Sequence, residues 1–189
     1  MKLQFKHQKF QADAAKAVVD VFAGQPYLTP TYMMDRGLEE GEQQAIATMD
    51  DFTGWRNERI VPELSDKLIL EHLQKVQRTN QIKPSDKLEG RYNLTIEMET
   101  GVGKTYTYIK TMYELNKLYG WSKFIVVVPS IAIREGVYKS FQVTQEHFAE
   151  EYGKKIRFFI YNSAQLTEID RFASDSAINV MIINSQAFN

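Results

Sequence analysis

The segment Met98–Thr105, METGVGKT, lies at the junction of two different patterns in this 189-residue chain. The residues before it, YNLTIE, are rich in strand formers, and the residues after it, YTYIKTMYEL, have helical periodicity. Glycines at such a junction let the backbone amides turn inward around an anion, and Lys104 adds a mobile cation. The hydroxyl of Thr105, in the first turn of the helix, can ligate Mg²⁺. The segment therefore predicts a loop that binds the phosphates of a nucleotide.

The match to the pattern G-x-x-x-x-G-K-[ST] is incomplete, because Met98 occupies the first glycine position. That position mainly serves the curvature of the loop, and the strand before and helix after it supply the context that the pattern requires. We predict Lys104 as the catalytic cation and Thr105 as the metal ligand. The predicted nucleotide-binding residues of the loop are Thr100, Gly101, Val102, Gly103, Lys104 and Thr105. The alternative is a glycine-rich turn that happens to precede a lysine.

Strand and helix patterns alternate from Tyr92 to the end of the chain. The continuous apolar run KFIVVVPS is typical of a strand buried on both faces of a parallel sheet. IRFFIY and INVMIIN read as two further strands. A helix is predicted between KFIVVVPS and IRFFIY. Its inward-facing side is formed by Val137, Phe141, Thr144 and Phe148. This order predicts an α/β fold of three layers, α/β/α, with a mainly parallel sheet.

The residues before the loop show two helical patterns and an acidic segment. The first helix is predicted up to Gly24, with an apolar face of Phe10, Ala14, Ala17, Val18 and Val21. Residues 35–51 are strongly acidic and read as a solvated surface rather than a metal site. A second helix is predicted after Ser65, with one side formed by Leu64, Leu68, Leu73 and Val76.

The composition excludes several classes of protein. A net charge of −1 provides no general attraction for nucleic acid, so any such contact needs a local patch. The absence of cysteine excludes disulfides, thiolate nucleophiles and cysteine-ligated zinc. No apolar run reaches the length of a membrane span, and the N-terminus lacks the apolar core of a signal peptide. We predict a soluble, cytoplasmic protein.

The three histidines of the chain have no metal-ligand spacing. His7, His72 and His147 are therefore interpreted as structural or surface residues.

Three stretches together resemble the Res subunit of type III restriction enzymes, a superfamily 2 helicase-like translocase. They are FQADAAKAVVDVFAGQPY, LTIEMETGVGKTYTYIKTMYELNKLYGWSKFIVVVPSIAIREGV and INVMIINSQAFN. The resemblance implies that residues 1–189 are the N-terminal part of the first RecA-like ATP-binding lobe. Residues 28–90 would be a partly helical insertion between the Q motif and the Walker A loop. The cofactors implied are ATP and Mg²⁺.

The resemblance also implies roles outside the loop. Gln11 is similar to the Q-motif glutamine, whose amide can both donate to and accept from adenine. The alternative interpretation is that Gln11 is a surface residue at the start of a helix. Pro129, Ser130 and Arg134 fall on motif Ia, which contacts the DNA backbone in these motors. Alternatively, Ser130 is only a helix cap and Arg134 only a solvated charge.

The implied whole protein is an ATP-dependent DNA translocase and endonuclease that acts on double-stranded DNA with a modification (Mod) methyltransferase subunit. No apolar run here ends in the paired acids that the superfamily uses to hold magnesium. We therefore expect an N-terminal fragment that stops before this strand and is inactive alone. Two alternatives stay open. One is another superfamily 2 motor, such as a type I restriction motor subunit, and the other is a stand-alone nucleotide-binding module that does not hydrolyse ATP.

Overall fold

The computed structural model describes residues 5–33 and 54–188. The predicted acidic surface at residues 35–51 lies outside these residues. The helices are α1 Lys9–Val21, α2 Asp66–Thr79, α3 Lys104–Tyr119, α4 Ile131–Tyr152 and α5 Leu166–Ser174. The strands are β1 Thr31–Met33, β2 Gly54–Arg56, β3 Lys123–Val128, β4 Arg157–Ile160 and β5 Asn179–Asn184, and a short 3₁₀ helix, Ser185–Phe188, follows β5. Among the described helices, none has the length and apolar character needed to span a membrane.

The central sheet is parallel, as predicted. Its strand order is β3-β5-β4, and Val180 of β5 is in register with Phe124 on one side and Phe158 on the other. Parallel neighbours require crossover connections, which α4 and α5 provide. Strands β1 and β2 form a separate antiparallel pair. The sheet and its crossover helices confirm the α/β class.

One core lies between the sheet and helices α3 and α4. The four residues predicted to face inward from α4 are all buried: Val137, Phe141, Thr144 and Phe148, with 6%, 2%, 4% and 0% of their surface exposed. The three apolar residues among them pack with Ile109 and Tyr113 of α3 and with Val180 and Ile182 of β5. The periodicity of α4 therefore identified its buried face correctly, since that face follows from local spacing alone.

Strand β3 differs from the prediction that both of its faces are buried. Phe124 and Val126 pack against the core, but Ile125 and Val127 are 54% and 55% exposed. Helices α3 and α4 cover the first face. On the second face, Phe172 of α5 packs on Phe159 of β4, at the opposite edge of the sheet. Within the described part of the chain, the second face of β3 is therefore uncovered at Ile125 and Val127.

The buried face of helix α1 agrees with the predicted one only in part. Val21 is buried as predicted, but Phe10 is 46% exposed. The other buried residues of the helix are Gln11, Ala15 and Val19. The prediction placed only apolar residues inside, but α1 packs on α3 through the side that includes Gln11. A second core joins α1 to α2, and its fully buried residue is Ile69 of α2.

The segment YNLTIEM before the loop is not a paired strand. Asn93 forms an isolated bridge with Glu89, and residues 94–99 have no regular secondary structure. A β-strand is stabilised by hydrogen bonds to a neighbouring strand, and none of the described strands pairs with this segment. The prediction of a strand was therefore wrong for the described residues, although the helix after the loop begins at Lys104 as expected.

A half-buried lysine at the start of β3 makes stability depend on pH. The Nζ atom of Lys123 donates to the carbonyl oxygen of Asp175 and lies 5.3 Å from the ring centre of Phe172. Burial lowers the pKa of Lys123 to about 8, an effect that Asp175 opposes and Arg157 reinforces. Above pH 8 and below the ordinary pKa of 10.5, the unfolded chain binds more protons than the folded one.

We therefore expect the free energy of unfolding to rise from pH 8 to about 9.5 relative to a Lys123→Met variant. Urea unfolding of both proteins at several pH values in this window measures the difference. A difference that stays constant across the window would contradict the assignment, because methionine cannot titrate.

Candidate nucleotide-binding site

The two loop glycines adopt backbone conformations that other residues rarely adopt. Gly101 has φ 83° and Gly103 has φ 90°. A Cβ atom added to Gly101 would meet no atom within 4 Å, so its glycine is required by conformation alone. A Cβ added to Gly103 would lie 2.5 Å from Nε2 of Gln11, so that position is restricted by space as well. The loop therefore needs both glycines, for different reasons.

The start of α3 presents unpaired backbone donors. Gly103 is the N-cap residue and has no side chain that could bond the first amides of the helix. The first intrahelical bond runs from the amide of Thr107 to the carbonyl of Gly103, at 3.0 Å. The amides of Lys104, Thr105 and Tyr106 thus have no intrahelical acceptor, and they lie at the positive end of the helix dipole. This arrangement suits an anion such as a phosphate.

The side chain of Lys104 lies across the base of the loop. Its Nζ atom donates to the carbonyl oxygens of Met98 and Glu99, at 2.8 and 2.9 Å. The residue is exposed, so the ammonium group is held by exchangeable bonds to backbone rather than by a carboxylate. Thr105 follows in the first helical turn and is half-buried. A cation and a hydroxyl are therefore next to the free amides.

Gln11 is brought to this loop from the other end of the sequence. It is 8% exposed, and its Nε2 atom donates to the carbonyl oxygen of Val102 at 2.9 Å. The alternative of a surface glutamine is therefore not what the structure shows. Its contact with adenine stays a prediction.

The residues predicted to belong to motif Ia lie at the carboxyl end of β3 and in the first turn of α4. Ser130 caps α4, with its Oγ accepting from the amide of Ile133 at 3.3 Å. The side chain of Arg134 is 19% exposed and donates to Oδ1 of Asn184, at 3.4 Å, and to Glu135, at 3.0 Å. The cap interpretation of Ser130 is thus observed, whereas Arg134 is not a freely solvated charge. Contact of Pro129, Ser130 and Arg134 with DNA stays a prediction.

A group of side chains that was not predicted from the sequence lies beside the first turn of α3. The hydroxyl of Tyr106 and Nε2 of His147, on α4, are joined by a hydrogen bond of 2.8 Å. Burial, and next the charge of Glu151, raise the pKa of Tyr106 to about 12. Burial lowers the pKa of His147. No sequence signal could have paired them, since they are far apart in the chain and touch only when α3 and α4 pack.

A parallel sheet with crossover helices, and a glycine turn with a lysine that opens a helix, define an α/β domain of the RecA-like P-loop class. The family model described as "Type III restriction enzyme, res subunit" matches residues 40–189. The chain belongs to this family.

Individual relatives agree with this assignment. The chain is 37% identical over 105 residues to the type III restriction-modification enzyme EcoP15I Res subunit of Escherichia coli. It is 36% identical over 104 residues to the EcoPI Res subunit of Escherichia phage P1. It is 34% identical over 122 residues to the StyLTI Res subunit of Salmonella typhimurium. These matches cover 53%, 53% and 55% of this chain but only 11%, 11% and 12% of the relatives. The chain thus spans about a tenth of the length of the relatives that it matches.

Proposed function

We propose that this chain binds ATP and Mg²⁺ as the N-terminal ATPase part of the Res subunit of a type III restriction-modification enzyme. The observation that carries the proposal is the loop at the start of α3, where the glycine turn, the free amides and Lys104 converge. Family membership supports the same conclusion.

The loop residues fit a nucleoside triphosphate. The open space beside Gly101 leaves the face of the loop accessible, because even an added Cβ atom would meet nothing within 4 Å. The backbone of residues 100–103 and the first amides of α3 would cradle the phosphates, and Lys104 would reach the β- and γ-phosphates. Thr105 would supply a hydroxyl ligand to Mg²⁺, which polarises the phosphates when it is bound. Gln11 would face adenine while its Nε2 atom stays bonded to Val102.

We extend this assignment to the activity of the whole protein. We assign to it ATP-dependent translocation on double-stranded DNA and endonucleolytic cleavage together with a Mod methyltransferase subunit, in the cytoplasm. Pro129, Ser130 and Arg134 would contact the DNA backbone. None of the three strands of the parallel sheet is followed by a pair of carboxylates, so we do not assign ATP hydrolysis to these 189 residues alone.

Calorimetric titration of the chain with ATP, with and without MgCl₂, tests the proposal. We expect saturable binding of ATP that becomes tighter in the presence of Mg²⁺, because the metal screens the phosphate charges and bonds Thr105. Absence of saturable binding under both conditions would overturn the assignment of the loop.

Gln11→Ala tests the link between α1 and the loop. We expect the variant to narrow the gap between ATP and GTP affinity and to lose about 0.5–1.5 kcal/mol of ATP binding, the usual net value of one hydrogen bond. The side-chain amide of Gln11 can both donate to and accept from the edge of adenine. Guanine presents the donor and the acceptor in the reverse order. Gln8→Ala is the matched control, because Gln8 lies at the N-cap of the same helix and is exposed. An unchanged ratio of ATP to GTP affinity would remove adenine recognition from Gln11.

The two loop glycines allow a matched comparison. Gly101→Ala and Gly103→Ala both force a Cβ into a positive-φ conformation, at a cost of about 1–2 kcal/mol each. Only Gly103→Ala also displaces the amide of Gln11, because its Cβ would lie 2.5 Å from Nε2. We therefore expect Gly103→Ala to weaken ATP binding more than Gly101→Ala in the same calorimetric assay. Equal losses would show that the contact between Gln11 and the loop contributes nothing to binding.

A further inference from the structure

Two histidines and a glutamate converge where the segment before α1 crosses the α3–α4 pair. They are His7, which is exposed, and His147 and Glu151, which are one turn apart on α4. One ligand atom from each of the three side chains lies within 4.8 Å of the other two. Residues four positions apart share one helix face, so α4 presents His147 and Glu151 together, and the chain before α1 supplies the third donor.

Neighbouring side chains hold two of these donors in place. Glu151 uses its Oε1 atom to accept from Nζ of Lys110, whose side chain is only 9% exposed. Its Oε2 atom is turned toward His147 and lies 3.9 Å from Nε2. The ring of Phe5 packs against His147, with 5.1 Å between ring centres. Outer groups that bond a carboxylate and fix an imidazole are the usual support of a metal-binding set.

We propose that His7, His147 and Glu151 form a binding site for one Zn²⁺ ion. Two imidazole nitrogens and one carboxylate oxygen are a typical three-ligand set for zinc, with water in the fourth position. Mg²⁺ prefers an all-oxygen octahedral set and is therefore a poor fit to this site. The site is thus chemically distinct from the proposed magnesium position at Thr105.

The three donor atoms need to move only slightly to bind one zinc ion. A tetrahedral site with metal–nitrogen distances of about 2.1 Å places its donors about 3.4 Å apart. The donors of the three side chains span up to 4.8 Å, so they must approach by little more than 1 Å. His7 is exposed and lies outside the helices, with its ring centre 5.4 Å from that of His147. Rotation of its side chain supplies most of the movement, and a zinc ion on Nε2 of His147 would replace the hydrogen bond between that atom and Tyr106.

Zinc at this position would fasten the segment before α1 to α4. His7 lies four residues before Gln11, which donates to Val102 of the phosphate loop. Tyr106, whose hydroxyl bonds Nε2 of His147 in the absence of zinc, belongs to the first turn of α3. We therefore expect zinc to stabilise the contact between α1 and the loop. This consequence rests on the proposed nucleotide site, whereas the binding of zinc does not.

Calorimetric titration of the untagged 189-residue chain with ZnCl₂, in the absence of nucleotide, tests the site. We expect one equivalent of Zn²⁺ to bind, and His7→Ala or Glu151→Gln to weaken binding by at least about tenfold. Glu151→Gln retains an oxygen that can accept from Lys110, so the packing of α3 on α4 is preserved. His72→Ala is the matched control, because His72 bonds the carbonyl of Val21 and lies outside the cluster.

Co²⁺ provides a second measurement of the same site. The wild-type chain is expected to show the strong visible absorption of tetrahedral cobalt, and His7→Ala is expected to lose it. Circular dichroism confirms that each variant is folded. Absence of saturable zinc binding would overturn the proposal, and so would equal affinity in the wild type and both cluster variants, or an equal loss in His72→Ala. Because ATP binding is measured without zinc, failure of one site is distinguishable from failure of the other.

Discussion

Replacement of Lys104 by alanine is expected to weaken the binding of ATP with Mg²⁺ by about 1.5–3 kcal/mol, or roughly 10- to 150-fold in affinity. The reason is the loss of charge-assisted hydrogen bonds to the phosphates. Lys104 already lies at the loop, bonded to the carbonyls of Met98 and Glu99 at 2.8 and 2.9 Å. Those bonds are to neutral acceptors, so a phosphate oxygen can replace them with a gain in electrostatic energy.

The measurement is titration calorimetry of wild type and variant with ATP in the presence of MgCl₂. Lys117→Ala is the matched control, because Lys117 is exposed and lies in the last turn of the same helix. We expect the control to bind ATP as the wild type does. Equal affinity in wild type and Lys104→Ala would contradict the proposed nucleotide site, since that site assigns the contact with the β- and γ-phosphates to Lys104.

The largest expected effect on stability comes from Phe148→Ala, at about 3–5 kcal/mol. Phe148 is 0% exposed, and its ring lies 4.8 Å from that of Tyr106 and 5.2 Å from that of Tyr113, measured between ring centres. Truncation removes these contacts and leaves a cavity between α3 and α4. The neighbouring helices are long and cannot collapse into it without moving the start of α3.

Urea unfolding, monitored by circular dichroism, measures this loss. Val143→Ala is the matched control on the same helix, because Val143 is 39% exposed. Its expected loss is within about 0.5 kcal/mol, as for most surface substitutions. If both variants lost the same free energy of unfolding, the packing of α4 on α3 through Phe148 would be contradicted.

Several elements could be predicted from local sequence because they depend on short-range rules. Helix α3 runs between two glycines, Gly103 and Gly120, both in the left-handed conformation. The prediction of the buried face of α4 was correct at every position, because a spacing of three and four residues places side chains on one side of any helix. The crossover order of strands and helices likewise determined a parallel sheet.

Other elements could not be predicted because they depend on what packs against them. The run YNLTIEM has the composition of a strand, but no described strand pairs with it. Ile125 and Val127 belong to an apolar run that reads as buried, yet no helix of the described part covers these two residues. Helix α5 was not predicted at all, although the parallel pairing of β4 and β5 requires a connection of that kind.

The sequence by itself determined the class of the protein and the position of the glycine turn that opens α3, because Gly101 and Gly103 set the local backbone there. Only the tertiary structure decided which distant side chains join that loop. Gln11 reaches Val102 across 91 residues, and His7 meets His147 beside Tyr106. These contacts arise because the packing of α1 and α4 on α3 brings remote parts of the chain together, and no pattern within a single segment specifies a partner in another.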